Sequence, residues 1–88
     1  MDIVQGSIVR ATAGRDKGGY FVVLELNEDF ALIADGKRRK VQSPKRKKLK
    51  HLAATHYVYE GSQRTDPQIR KALFSFNNGG QAVCQSKM

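Results

Sequence analysis

Three groups of residues in this 88-residue chain are of types that could do chemistry. The first is cationic. Lys37, Arg38, Arg39, Lys40, Lys45, Arg46, Lys47, Lys48 and Lys50 place nine of the sixteen Lys and Arg in one short segment. A solvated strand edge needs one or two lysines, whereas this density suits a polyanion, because each neutralised phosphate releases condensed counterions. The second group is Arg15 and Lys17, set between Gly14 and Gly18-Gly19 with Asp16 partly cancelling their field. The third is His51, His56 and Cys84, which lack the companion ligands and spacing of a zinc site. The acidic residues are scattered, no nucleophile stands with a base, and no Gly-x-x-x-x-Gly-Lys-Ser/Thr phosphate loop occurs. These patterns predict a binding module, not an enzyme, with no cofactor and no metal.

Composition bounds the partner and the setting. A formal net charge of +8 and an isoelectric point near 10.0 point to nucleic acid first and an anionic membrane second. The chain is long enough for one small domain. Nothing approaches a transmembrane span and no basic-then-apolar leader opens the chain, so no membrane partner is expected. A lone cysteine cannot form an internal disulfide, which suits a reducing, cytoplasmic compartment. The expected state is a monomer.

Short strands must position these cations. Residues 7–13 and 20–26 are rich in β-branched and aromatic types and flank the glycine loop, so they read as two strands. Tyr20, Val22, Leu24 and Leu26 alternate with Phe21, Val23 and Glu25, and apolar residues on both faces predict a central strand. Residues 30–34 give a third strand, and Asp35-Gly36 predicts a type I′ hairpin turn into a fourth at 37–42. Residues 45–48 lie beyond Pro44 with almost nothing to bury, and are expected to form a flexible phosphate clamp. Leu52, Ala53 and Ala54 with Tyr57, Val58 and Tyr59 can supply a fifth strand. A short helix starts either at an Asp66 N-cap with Pro67 first, or at a Thr65–Gln68 capping box. Its apolar face is Ile69, Ala72, Leu73 and Phe76. The fold class is therefore mainly β: a small antiparallel barrel of about five strands with a short C-terminal helix. Residues 1–60 are assigned to the barrel, 61–80 to the helical extension and 81–88 to a disordered tail.

The segment Gly14-Arg15-Asp16-Lys17-Gly18 between two hydrophobic strands resembles the KOW motif of ribosomal proteins and transcription elongation factors. From Gly6 to about Ala54 the chain is similar to small KOW-type SH3-like barrels, especially those of the large ribosomal subunit. It departs from that pattern at Phe21, bulky where many KOW motifs carry a small residue. The resemblance implies an SH3-like barrel whose Arg15–Lys17 loop reaches RNA, and association with the ribosome or its assembly, with ribosomal proteins as further partners.

Two classes of function follow. One is binding of structured RNA, ribosomal RNA foremost, through phosphate contacts of Arg15, Lys17, Lys37, Arg38, Arg39, Lys40, Lys45, Arg46, Lys47, Lys48 and Lys50. The other is an SH3-like protein-interaction adaptor of the transcription or translation machinery that uses Tyr57, Tyr59 and apolar sheet residues. Duplex DNA on the same basic surface is a third reading. Phe21 and Phe30 are expected in the core, while Tyr57 and Tyr59 share a face on which they either pack or meet bases.

Overall fold

The computed structural model describes residues 3–59 and 64–77. Strands β1 (Ser7–Ala11), β2 (Tyr20–Leu26), β3 (Phe30–Ala34), β4 (Lys45–Lys48) and β5 (Leu52–Val58) form one antiparallel sheet, followed by helix α1 (Asp66–Asn77). The strand order is β4-β3-β2-β1-β5, so β2 is central, as its two apolar faces require. A single 3-10 turn, Leu49–His51, carries the chain from one edge strand to the other. The result is a barrel-like sheet that curls without closing, since β4 and β5 remain its two edges.

Each face of β2 has its own core. Inside the curl, Phe21 and Val23 meet Val9, Ala11, Ala31, Ile33 and Leu52. On the outer face, Val22 and Ile8 are covered by Ile69 and Leu73 of α1. The helix therefore completes the domain by burying a face the sheet cannot cover itself. Phe21 fits the inner core at 3% exposure. Phe30, expected there too, is instead half-buried on β3 beneath the Arg46 guanidinium, 4.2 Å from its ring centroid.

Two irregularities bend the sheet, and each is satisfied by a side chain. The β2–β3 register shifts between Val23 and Glu25, and the Leu24 carbonyl accepts from Gln5 Nε2 at 3.0 Å and Arg64 Nη1 at 3.3 Å. The β1–β5 register shifts between Ser7 and Val9, and the Thr55 hydroxyl donates to the Ile8 carbonyl at 2.7 Å. A bulge of this kind leaves backbone groups without a ladder partner, and burial demands that something else meet them.

Three expectations need correction. Strand β1 stops at Ala11, because Thr12 N–H donates to the His51 carbonyl of the 3-10 turn instead of to a neighbouring strand. The fourth strand is Lys45–Lys48, not residues 37–42. Asp35 explains the change: its carboxylate accepts from the N–H of Lys37 at 2.8 Å and of Arg39 at 3.0 Å, winding the chain into a wide loop where a two-residue turn was expected. Residues 45–48 are consequently an ordered edge strand paired with β3 rather than a flexible clamp. At the helix start, Thr65 is the N-cap: its carbonyl accepts from Ile69 N–H and its hydroxyl from Gln68 N–H. The assignment of 81–88 as a tail lies outside the described residues.

Candidate nucleic-acid interface

The β1–β2 loop (residues 12–19) and the β3–β4 loop (residues 35–44) leave the sheet at the same end, as alternate connections of an antiparallel meander must. Gly14 and Gly18 turn the first loop with φ of 81° and 90°, which L side chains rarely adopt. The backbone then closes on itself: Gly18 N–H donates to the Ala11 carbonyl and Gly19 N–H to that of Asp16. Arg15 and Lys17 are left exposed on this fixed tip.

The two loops are fastened together. The Arg39 guanidinium forks onto the Asp16 carboxylate, with Nη2 at 3.2 and 3.1 Å from its two oxygens and Nε at 3.3 Å from one. The Asp16 side chain is only 3% exposed and that of Arg39 29%. A charge so nearly buried needs such a partner, and a planar fork fits a carboxylate better than an ammonium does.

The second loop is also seated on α1. Asp66 at the helix start accepts from Val41 N–H at 2.8 Å, and Arg70 Nη1 donates to the Gly36 carbonyl at 2.8 Å. Gly36 is buried with φ of 80°, and a β-carbon there would come 2.4 Å from the Asp66 carbonyl oxygen. The seam therefore admits only glycine.

These contacts sort the charges. Asp16, Asp35 and Asp66 accept from Arg39 and from backbone N–H groups of the loops. Lys37, Arg38 and Lys40 are exposed beside Arg15 and Lys17. Five cations thus face outward from one rigid double loop whose carboxylates are occupied in building it.

The sites predicted on β4 fare differently. Lys47, paired with Ala31 on the inner face, is 8% exposed, and its ammonium donates to the Ala13 carbonyl at 2.8 Å. It braces the β1–β2 loop across the open side of the curl and is not presented to a partner. Arg46 lies over Phe30, and Lys48 and Lys50 line a shallow groove of about 430 Å³ with Glu28, Asp29 and Leu49. Lys45 is half-buried. Of the eleven cations predicted from sequence, Arg39 and Lys47 are therefore structural, and the remaining nine divide between the loop end and the β4 edge.

The aromatic question is settled in part. Tyr59 packs against the Ile8–Val22–Ile69–Leu73 cluster. Tyr57 is 59% exposed and meets Phe76 edge-on at 5.3 Å, with Tyr20 on the other side of Phe76 at 5.2 Å. Sequence reasoning missed the internal use of Arg39 and Lys47. The only available signal was the presence of Asp16 between two cations, which asks for a partner once its loop is buried.

Among the described residues, no helix is long and apolar enough to cross a membrane, and no group of three His, Cys, Asp or Glu could hold a metal ion. No protein family matches the chain, and no curated protein is significantly similar to it.

Proposed function

We propose that this chain is a KOW-type RNA-binding module, cytoplasmic and monomeric, that docks on structured RNA through its phosphate backbone. Ribosomal RNA is the foremost partner, in the ribosome or during its assembly, and the module carries out no catalysis and uses no cofactor. The observation that supports this reading best is the loop end, where Arg15, Lys17, Lys37, Arg38 and Lys40 are all exposed while Asp16, Asp35 and Asp66 are engaged within the fold. Such a surface attracts phosphates, because these three carboxylates already accept hydrogen bonds from the fold. The likeness of Gly14–Gly18 to the KOW loop adds the choice of RNA over other polyanions.

Mechanistically, the cations neutralise phosphates and release counterions, so affinity falls steeply with salt. Recognition by phosphate position requires no base-reading chemistry, and the two loops contain no aromatic residue on which bases could stack. A test is fluorescence anisotropy with ribosomal RNA fragments and duplex DNA at several salt concentrations. RNA binding with a slope of log K against log salt of roughly −3 or steeper is expected, at about 0.7–0.9 per phosphate contact. Equal binding of duplex DNA would move the assignment to DNA.

The adaptor reading retains one specific support: Tyr57 and Val58 are exposed at the β5 edge, at 59% and 47%. It predicts capture of a protein partner that survives raised salt, and no salt-dependent RNA complex.

A further inference from the structure

The loop end is more tightly built than phosphate attraction requires. A cluster of mobile lysines attracts any polyanion, yet here Asp16–Arg39 ties one cationic loop to the other, and the Gly36–Asp66–Arg70 seam ties the second to α1. One cation, Arg39, is committed to the Asp16 carboxylate to make the tie. The arrangement fixes distances between charges at the expense of their number.

Fixed spacing benefits only a partner whose phosphates are also fixed. An unpaired strand adjusts its backbone to whatever cations it meets and gains little from their rigidity. Its usual protein partners instead offer aromatic platforms, and neither loop has one. A double-stranded segment holds its phosphates in a set pattern and is read by shape, so a preset cation array avoids the ordering cost on binding. We propose that the Asp16–Arg39 pair and the Gly36 seam are positioning elements that make the loop end selective for double-stranded RNA over unpaired strands. This rests on the RNA-binding reading and specifies its substrate class.

The inference makes a prediction opposite in sign to simple electrostatics. Asp16→Asn adds one unit of positive charge and releases Arg39, which is exposed enough to swing into solvent without becoming a stranded buried charge. Charge alone predicts tighter binding to every RNA. Preset spacing predicts weaker binding to a duplex: if the docked loop arrangement falls to about a tenth of the population, duplex affinity falls about tenfold. Gly36→Ala should act likewise with no change of charge, because its β-carbon meets the Asp66 carbonyl.

Both variants and the parent protein would be titrated by fluorescence anisotropy against an RNA hairpin and an unstructured uridine-rich strand of equal length, with circular dichroism melts alongside. The expected result is a parent preference for the hairpin that both variants lose, while Asp16→Asn binds the unpaired strand at least as tightly as the parent. Tighter hairpin binding by Asp16→Asn, or an unchanged hairpin preference in both variants, would overturn the inference. A parent protein that binds hairpin and strand equally overturns the inference but leaves the RNA reading intact. A parent protein that binds neither overturns both.

Discussion

The loop end and the β4 edge are both rich in cations, and they use them in opposite ways. At the loop end, acidic side chains turn inward to build the scaffold and the cations other than Arg39 stay outside. On β4, strand alternation turns Lys47 inward and leaves Arg46 and Lys48 outside, where Arg46 covers an aromatic ring and Lys48 shares a groove with Glu28 and Asp29. Local charge density is therefore a poor guide to which cations a partner meets. What each residue's backbone position obliges it to do decides the matter. A lysine on a strand facing the core must find an acceptor, whereas a lysine on a loop between two glycines need not.

The contrast is tested most strongly by exchanging charges at each region. Replacing Arg15, Lys17, Lys37, Arg38 and Lys40 with Gln should weaken RNA binding by roughly a hundredfold or more and flatten the salt slope by about 3.5–4.5. Replacing Arg46, Lys48 and Lys50 should flatten it by about 1 or less, since Glu28 and Asp29 line the same groove as the two lysines and Arg46 lies over Phe30. Equal slopes from anisotropy titrations would erase the distinction between the two regions.

Next in size is the support under the loop end. Leu73 is 1% exposed on the inner face of α1, and Leu73→Ala should cost about 2–5 kcal/mol in denaturant unfolding. A cost below ~1 kcal/mol would mean that the helix does not seat the β3–β4 loop.

Neighbouring lysines on β4 give a sharper contrast. Lys47→Met should cost about 1–3 kcal/mol, because the Ala13 carbonyl loses its donor. Lys48→Met should stay within about 0.5 kcal/mol. Arg46→Gln should fall between the two, at about 0.5–1 kcal/mol from the lost contact over Phe30. Thermal melts of all three variants would rank them, and Lys48 costing as much as Lys47 would contradict the inward placement of Lys47.

Much of this was readable in the residues. The central place of β2 followed from Phe21 and Val23 alternating with Val22 and Leu24, and the helix from Thr65 and the Ile69–Leu73–Phe76 spacing. The β1–β2 loop followed from its glycines. The β3–β4 region was misread because Asp35-Gly36 carries two competing signals. The pair favours a tight turn, yet an Asp side chain also accepts from N–H groups further along, and here it takes those of residues 37 and 39. Lys45–Lys48 was missed as a strand because its alternation lies in burial and not in residue type. Four consecutive cations hide a period of two. The Asp16–Arg39 tie joins residues far apart in the chain, and no local pattern announces it.

Asn77, the last described residue of α1, has a consequence for how this protein behaves in company. Strand β3 ends at Ala34, opposite Val22, so Tyr20 has no strand beside it on that side of β2. The Asn77 side chain fills the gap, accepting from Tyr20 N–H at 2.8 Å and donating to its carbonyl at 3.2 Å. One amide thus imitates a residue of a missing neighbour strand. Bare backbone at such a place can recruit a strand from another molecule and begin swapped dimers or aggregates. By turning its amide onto β2, the helix leaves no bare backbone at Tyr20 for a second chain to pair with.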